Sequence, residues 1–339
     1  MKTAIFAYSQ QGCFTAERIM KYLIGGENRK FVPERFATAG FCQIAKPTEP
    51  FYGEQFQWAN ALIFVGACGI AVRAIAPHIR SKTTDPAVLC IDEQGKFVIP
   101  LLSGHIGGAN KLALELAYAL NAQAVITTAT DINGRFSVDS WAVQNGFMIG
   151  NMTIAKEISA AILEHDIPLS SSLPIVSGLP DGVLLSGTGE IGIYIGWKKL
   201  SPFHKTLNLI PKILHLGIGC RKGTDCDTIR ETISEIIERE NIDKRALKCI
   251  SSIDLKANEE GLLEFSRREN LPIIFYSAEE LNAVPGSFSG SDFVKKITGV
   301  DNVCERAAMI GAEKLVLKKT ALNGITVAIA AERKEVSFG

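Results

Sequence analysis

Residues 98–120 read VIPLLSGHIGGANKLALELAYAL, and the predicted architecture of the first domain follows from this stretch. The apolar run 98–102 has the length of a strand, and a glycine-rich turn connects it to 111–120, where apolar residues recur at helical spacing. The same order of strand, loop and helix is found in 2–23 and 61–79. Three such units in one chain predict a parallel β-sheet flanked by helices.

A hairpin and a further strand complete the first predicted domain. Residues 87–91 and 97–102 flank the polar sequence DEQGK at 92–96, which is typical of a hairpin connection. Residues 124–129 are predicted to form another strand after the helix. We place the end of this domain at residue 146, so it comprises residues 1–146.

The remaining sequence predicts two further domains. In 147–210, a helical pattern at 151–164 is followed by two short β-rich runs, which indicates a small α+β segment. From residue 211 the order of strand, loop and helix starts again, with GIGCRKGT at 217–224 leading into a helical pattern. We therefore predict a multidomain α/β protein with parallel sheets in its N-terminal and C-terminal domains, the latter being 211–339.

The composition excludes several classes of protein. The 339 residues are 47% hydrophobic and 21% charged, as in ordinary globular proteins. Lys and Arg (36) balance Asp and Glu (36), so neither a nucleic acid partner nor long-range attraction to a membrane is expected. The most apolar later stretch, 61–77, is interrupted by Arg73 and two glycines, and no signal peptide is recognised. We predict a cytoplasmic protein without a membrane segment.

The eight cysteines are scattered along the chain. None forms a C-x-x-C pair, and no Cys and His residues have the spacing of a zinc site, so we predict reduced thiols and no metal site in the protein. Cys220 and Cys304 have no histidine nearby in the sequence, which favours core or loop thiols over nucleophiles.

Three glycines mark the point where the strand 98–102 passes into its helix. Glycine lets backbone amides approach an anion closely, and the N-terminus of a helix favours negative charge. A tight strand-to-helix turn is the alternative explanation, but the histidine among the glycines favours a binding role. The residues predicted to take part are Ser103, Gly104, His105, Gly107, Gly108, Asn110 and Lys111.

A second polar loop, TTATDINGRFSVD at 127–139, follows the next predicted strand. If the two loops follow neighbouring strands, His105 faces the carboxylates and the arginine of this loop across one crevice. These residues are Asp131, Arg135 and Asp139, with Thr128 as a further binding residue. The sequence at 131–134 is also favourable for a turn, and helix capping is an alternative role for Asp139.

The third glycine loop, 217–224, has the spacing G-x-G-x-x-x-G, which differs from a dinucleotide-binding fingerprint. Its basic and hydroxyl side chains at the start of a helix predict a carboxylate site. The predicted binding residues are Gly219, Arg221, Lys222 and Thr224. Alternatively, Thr224 or Asp225 only caps the helix, and Asp301 or Asn302 is the predicted cap of a later one.

Eight segments together resemble the CbiG family of cobalt-precorrin-5A hydrolases. The segments that carry the resemblance are 69–77, 85–92, 101–110, 127–139, 217–224, 253–260, 277–281 and 299–307. Several long motifs in one order are more specific than any single glycine loop. The resemblance spans about residues 50–330 and leaves the first 50 residues largely without a signature.

The resemblance implies an enzyme of anaerobic cobalamin synthesis that hydrolyses cobalt-precorrin-5A. Such an enzyme opens the δ-lactone and releases acetaldehyde to give cobalt-precorrin-5B. The substrate is a cobalt corrinoid that carries its own metal, so no cofactor is expected.

The polar residues of the first two loops suggest a role for each side chain in this reaction. We interpret His105 as the base or proton shuttle, because an ordinary imidazole titrates near neutral pH. In this hypothesis Asp131 orients the imidazole, and Arg135 or Lys111 holds a substrate carboxylate. We expect the substrate in a cleft between the first and third domains.

Two functions of other classes compete with this interpretation. A non-catalytic tetrapyrrole carrier or complex subunit would use the same loops only to hold carboxylates. A flavodoxin-like redox protein would bind a phosphate at YSQQGCFT, residues 8–15, although a simple strand-to-helix turn also explains that loop. The sequence leaves the oligomeric state open, with a homodimer as one arrangement.

Overall fold

The chain divides into two compact units, Met1–Gln144 and Asn145–Gly339. The computed structural model describes residues 1–37, 40–81, 84–105 and 107–338, with the backbone alone for Thr130, Asp131 and Phe293. Within these described ranges, no helix is both long enough and apolar enough to cross a membrane.

The first unit is a helix-covered sheet. Its strands are β1 (Lys2–Ala7), β2 (Glu27–Val32), β3 (Cys42–Gln43), β4 (Ala61–Val65), β5 (Ala87–Ile91), β6 (Phe97–Leu102) and β7 (Gln123–Ala124). Its helices are α1 (Gln10–Met20), α2 (Thr48–Trp58), α3 (Cys68–Ile75), α4 (Ala109–Leu120), α5 (Ala129–Ile132) and α6 (Val138–Gln144). The strand order is β3-β2-β1-β4-β5-β6-β7, and the first five of these strands are parallel. The predicted α/β fold class is confirmed.

Both faces of this sheet are buried, as expected for parallel strands that are apolar along their whole length. Successive side chains of β1 point to opposite faces, so Ile5 packs with α1 and α4 whereas Phe6 packs with α2 and α3. Phe6 lies in register with Phe31 of β2 and Phe64 of β4. Its ring stacks on theirs, with centroids 5.4 Å and 4.7 Å away. This aromatic row fixes the centre of the sheet.

The predicted hairpin joins β5 and β6, which are antiparallel. The carboxylate of Asp92 accepts hydrogen bonds from the backbone amides of Gln94, Lys96 and Phe97, at 2.9, 2.8 and 2.6 Å. Gly95 has a φ of +69°, a conformation that favours glycine. Since β7 pairs parallel with β6, the chain leaves both strands toward the same end of the sheet.

The predicted strand 124–129 is wrong in its extent. Strand β7 contains only Gln123 and Ala124, paired with the first two residues of β6. The amide of Val125 makes one more bond to Val98, and α5 begins four residues later. β7 lies at the edge of the sheet, so no second neighbour extends its pairing.

The second unit contains two sheets. Its strands are β8 (Phe147–Ile149), β9 (Ile167–Ser171), β10 (Val183–Leu185), β11 (Ile191–Ile195), β12 (Lys205–Pro211), β13 (Leu214–Gly219), β14 (Leu247–Ile253), β15 (Ile273–Tyr276), β16 (Lys314–Leu322) and β17 (Ile325–Ala331). Its helices are α7 (Met152–Ala161), α8 (Cys226–Arg239), α9 (Glu260–Glu269), α10 (Ala278–Ala283), α11 (Asp292–Thr298) and α12 (Val303–Met309).

The two sheets of this unit are mixed. One has the order β10-β9-β11-β12-β8, with β8 antiparallel to its neighbour. The other has the order β15-β14-β13-β17-β16, in which β13, β14 and β15 are parallel and β17 is antiparallel to both neighbours. The three-domain division at residues 146 and 210 stays a prediction.

Helix α12 lies directly against β13. A Cβ atom at Gly217 would lie 1.9 Å from the carbonyl oxygen of Cys304, so a side chain at this position would clash with backbone. The residues between α12 and β17 are correspondingly small, with Cys304 and Ala308 packed on Ala328 and Ala330.

Overpacking of a protein core usually costs about 1–3 kcal/mol. We predict that Gly217→Ala lowers the free energy of unfolding by at least the upper end of this range, about 3 kcal/mol, because the clash involves a backbone oxygen. The midpoint of urea unfolding measures this change. Gly187→Ala is the control, since a Cβ atom there has no neighbour within 4 Å. Equal midpoints for the two variants would contradict the close contact.

Candidate functional site

The first candidate site lies where β6 and β7 end. Because these strands are neighbours and parallel, the loop that begins at Ser103 and the loop 125–137 lie at the same end of the sheet. The antiparallel pairing of Leu102 with Val88 also brings the amino end of β5 to this end of the sheet. The two loops therefore follow neighbouring strands, which is the condition on which we predicted from the sequence that they face each other.

The glycine-rich loop is tightly packed. Ser103 is buried, has a φ of +57°, and donates a hydrogen bond from Oγ to the carbonyl of Asp85 at 3.0 Å. A Cβ atom at Gly107 would lie 2.3 Å from Cβ of Ser103, and one at Gly104 would lie 2.7 Å from Oδ1 of Asn110. Two of the three predicted glycines are thus required by close contacts inside the loop.

Asn110 connects the two loops. Its side chain is buried, and Nδ2 donates a hydrogen bond to Oγ1 of Thr128 at 2.9 Å. On the other side, the Asp85 carboxylate accepts hydrogen bonds from the amides of Arg80 and Ser81 at 2.9 and 3.0 Å. Ser103 and Asn110, on either side of the histidine, are therefore each hydrogen-bonded to a neighbouring segment of the chain.

The structure pairs His105 with Asp139. Nδ1 of His105 lies 3.5 Å from Oδ1 of Asp139, and the exposed fractions of the two side chains are 19% and 4%. Oδ1 of Asp139 also accepts hydrogen bonds from Oγ of Ser137 at 3.0 Å and from the amide of Ser140 at 2.9 Å. A buried carboxylate held in this way can fix the orientation of an imidazole that solvent still reaches.

The remaining predictions for this site concern three acidic or basic residues expected near His105 and the position of Asp139 in its helix. Asp139 is the second residue of α6 and does not occupy the capping position. The side chain of Asp131, which we predicted to orient His105, lies outside the described residues. Arg135 is half-buried and Lys111 is exposed.

The second candidate site is a cavity of about 580 Å³ in the second unit, at the carboxyl ends of β13 and β14. The predicted residues Gly219, Arg221 and Lys222 line it. Predicted Thr224 lines an adjoining open depression of about 1040 Å³, which shares Lys222 and Lys256 with the cavity. Apolar walls are formed by Ile253, Val294, Ile297 and Val303.

The loop between β13 and α8 is ordered by its own hydrogen bonds. Oγ1 of Thr224 donates to the carbonyl of Arg221 at 2.9 Å, whereas Asp225 caps α8 by accepting the amide of Thr228 at 2.8 Å. The alternative that Asp225 is a helix cap is therefore confirmed, and Thr224 instead closes the turn that carries Arg221.

Sequence reasoning missed the cationic residues Lys256 and Lys319, which also line the cavity. Lys256 follows β14 in the segment 253–260, which contributes to the family resemblance but in which no binding residue was predicted. Lys319 lies inside β16, where nothing in the local sequence distinguishes it from its exposed neighbour Lys318. Asn302 caps α12, as one of two predicted alternatives, and lines the cavity as well.

The thiols at this site are poor candidates for nucleophiles. Burial raises the pKa of Cys304 to about 11 and also raises the pKa of Cys220. Both thiols are therefore protonated near neutral pH, and a thiol is much less nucleophilic than a thiolate. Within the described part of the chain, no three His, Cys, Asp or Glu side chains form a group that could hold a metal ion.

Residues 8–15 comprise the two-residue connection between β1 and α1, Tyr8 and Ser9, and the first residues of α1. Ser9 caps α1 by accepting the amide of Gly12 at 3.0 Å, and its Oγ donates to the carboxylate of Glu93 at 2.7 Å. A carboxylate at this position disfavours the phosphate that a flavodoxin-like site would hold.

Family models match both halves of the chain. The model described as "Cobalamin synthesis G N-terminal" matches residues 51–131, and "Cobalamin synthesis G C-terminus" matches residues 214–330. The chain belongs to the cobalamin synthesis G (CbiG) family. The N-terminal match covers the loop of His105 and Asn110, and the C-terminal match covers every residue that lines the 580 Å³ cavity.

Three relatives with curated names are similar over most of this chain. A cobalt-precorrin-5A hydrolase of Salmonella typhimurium is 33% identical, with 94% of this chain and 90% of the relative covered. A second, of Priestia megaterium, is 31% identical over 81% of this chain and 79% of the relative. A probable cobalt-precorrin-5A hydrolase of Methanocaldococcus jannaschii is 30% identical over 80% and 86%.

We predict that Glu259 stabilises the loop of Arg221 only where it is ionised. The Gly223 amide, at 2.9 Å, and then Lys256 lower the pKa of Glu259 below its ordinary value of 4.5. Because the folded-state pKa is the lower one, this stabilisation is complete above the unfolded-state pKa and is lost as pH falls through the folded-state pKa. Glu259→Gln should therefore have a lower midpoint of urea unfolding than the wild type at pH 7. The difference between the two midpoints should become smaller as the pH is lowered into the acid range.

The exposed Glu313→Gln, in the same unit, is the matched control. A difference between Glu259→Gln and wild type that stayed constant from pH 7 down into the acid range would exclude this role for the ionised carboxylate.

Proposed function

We propose that the protein is a cobalt-precorrin-5A hydrolase of anaerobic cobalamin synthesis. It hydrolyses the δ-lactone of cobalt-precorrin-5A and releases acetaldehyde to give cobalt-precorrin-5B. The observation that carries this conclusion is the 33% identity to a relative of that name over 94% of this chain. The substrate is a cobalt corrinoid that brings its own metal, and we propose that the reaction needs no further cofactor.

The reaction requires a proton to be moved twice. Water adds to the lactone carbonyl and gives up a proton, and the acyl C–O bond breaks to leave a carboxylate and an alcohol. When that alcohol loses its proton, the adjacent C–C bond breaks, and the oxygen becomes the carbonyl of acetaldehyde. The bonding electron pair stays with the macrocycle. A group that accepts a proton near neutral pH serves both steps.

His105 is our candidate for this group. With Nδ1 directed at the buried Asp139 carboxylate, Nε2 is the nitrogen that would exchange protons with the substrate. Asp139 thus takes the orienting role that the sequence assigned to Asp131, and a contribution from Asp131 stays a prediction. Ser103, Asn110 and Thr128 keep the histidine loop in place through their hydrogen bonds.

Substrate carboxylates require cationic partners. In the second unit, Arg221 and Lys222 line a cavity that also has apolar side chains in its walls, and this combination suits a macrocycle with acetate and propionate side chains. In the first unit we retain Arg135 and Lys111 as proposed carboxylate ligands. The cytoplasmic location and a homodimer stay predictions.

The direct test of this function is anaerobic incubation of the full chain with cobalt-precorrin-5A, with trapping of acetaldehyde and mass spectrometry of the macrocycle. We expect one acetaldehyde for each macrocycle converted, with the mass change of lactone opening and loss of the two-carbon fragment. Tight binding without release of acetaldehyde would instead favour the carrier function.

We predict that His105→Ala reduces kcat by about 10²–10⁴-fold, the usual contribution of general acid–base catalysis, and that Asp139→Asn reduces it at least about tenfold. Binding of the substrate should change little, because neither residue is proposed to hold a carboxylate. Rates of acetaldehyde release at saturating substrate measure the effect. His204→Ala is the matched control, since His204 forms an exposed pair with Glu190 at 3.0 Å. Full activity of His105→Ala with unchanged binding would exclude the proposed role.

A further inference from the structure

Strand β16 contains a β-bulge beside the cavity of the second unit. Leu317 pairs with Ile329 and Thr320 pairs with Val327, so two residues, 318 and 319, oppose the single residue Ala328. A bulge removes one residue from the regular pairing and turns side chains away from their normal alternation. At this bulge Lys318 is exposed, whereas Lys319 lines the cavity.

The bulge is held by a buried carboxylate. Glu305, on α12, is only 1% exposed, and its Oε1 accepts the backbone amide of Lys319 at 2.7 Å. Its Oε2 accepts the amide of Ser289 at 3.0 Å and Nδ2 of Asn302 at 2.6 Å. Burying a carboxylate is unfavourable unless such donors compensate it. One of these donors is the amide that the bulge leaves without a strand partner.

The ammonium group of Lys319 is available to a ligand. Among the described residues, no carboxylate lies within 4.0 Å of it, and the same holds for Arg221 and Lys222, which line the same cavity. These three cations line a cavity whose lining contains no carboxylate in the part of the chain that the structure describes. An anionic group that enters the cavity can form charge-assisted hydrogen bonds with them.

We infer that Lys319 binds a peripheral carboxylate of the substrate inside this cavity, and that Glu305 is the positioning residue that aims it. The inference rests on the proposed function and names a contact within it. The apolar wall of Ile253 and Val303 accommodates the aliphatic part of an acetate or propionate side chain. Glu305 does not touch the substrate but acts through the backbone of Lys319.

The test compares Lys319→Ala with Lys318→Ala in the full chain. Stopped-flow fluorescence with cobalt-precorrin-5A under anaerobic conditions gives Kd before turnover, and acetaldehyde release is measured separately. We expect Kd to rise about tenfold or more for Lys319→Ala, as for loss of a hydrogen bond to a charged group, and to change less than about twofold for Lys318→Ala. Lys319→Arg should restore most of the affinity.

The role of Glu305 is tested by a double-mutant cycle. Glu305→Gln should raise Kd in the wild-type background without changing kcat, and should add little in the Lys319→Ala background. Equal effects on Kd in both backgrounds would show that Glu305 does not act through Lys319 and would overturn its positioning role.

The outcomes for Lys319 and for the proposed function are separable. Equal Kd values for the two lysine variants, or no binding by the wild type, would overturn the contact. Binding that depends on Lys319 without release of acetaldehyde would contradict the proposed function alone.

Discussion

The reversal of chain direction between β5 and β6 is the constraint on which the first candidate site depends. One carboxylate, that of Asp92, accepts three backbone amides, and Gly95 supplies the φ of +69° that the turn needs. Ligands of open α/β sheets usually bind at the carboxyl ends of the parallel strands. Because β6 is antiparallel to β5, the glycine-rich loop and His105 lie at the opposite end of the sheet, beside the amino end of β5.

Much of the fold is predictable because its signals are local. Apolar runs, glycine-rich loops and helical spacing give the strand–loop–helix units, and DEQGK gives the hairpin. The site is less predictable. Asp131 and Asp139 lie in one polar stretch of the sequence, and the sequence does not indicate that Asp139 pairs with His105, because that depends on where α6 begins. The extent of β7 likewise depends on its position at the edge of the sheet.

The cationic cavity shows the same limit more clearly. Arg221 and Lys222 follow a glycine-rich strand end and were predicted from that context. Lys319 is placed by a bulge whose amide is bound by Glu305, 14 residues earlier in the chain. Such a contact between a helix and a strand leaves no local pattern. Zero net charge also conceals it, since the cations are concentrated locally on a neutral protein.

Chemical rescue can show whether His105 moves protons in the reaction. His105→Gly removes the imidazole from a loop that already contains glycines, and added imidazole can then act in its place. We expect His105→Gly to bind cobalt-precorrin-5A but to release acetaldehyde slowly, and we expect imidazole to restore the release in proportion to its concentration. Release at the wild-type rate without imidazole would exclude His105 as the group that moves the protons.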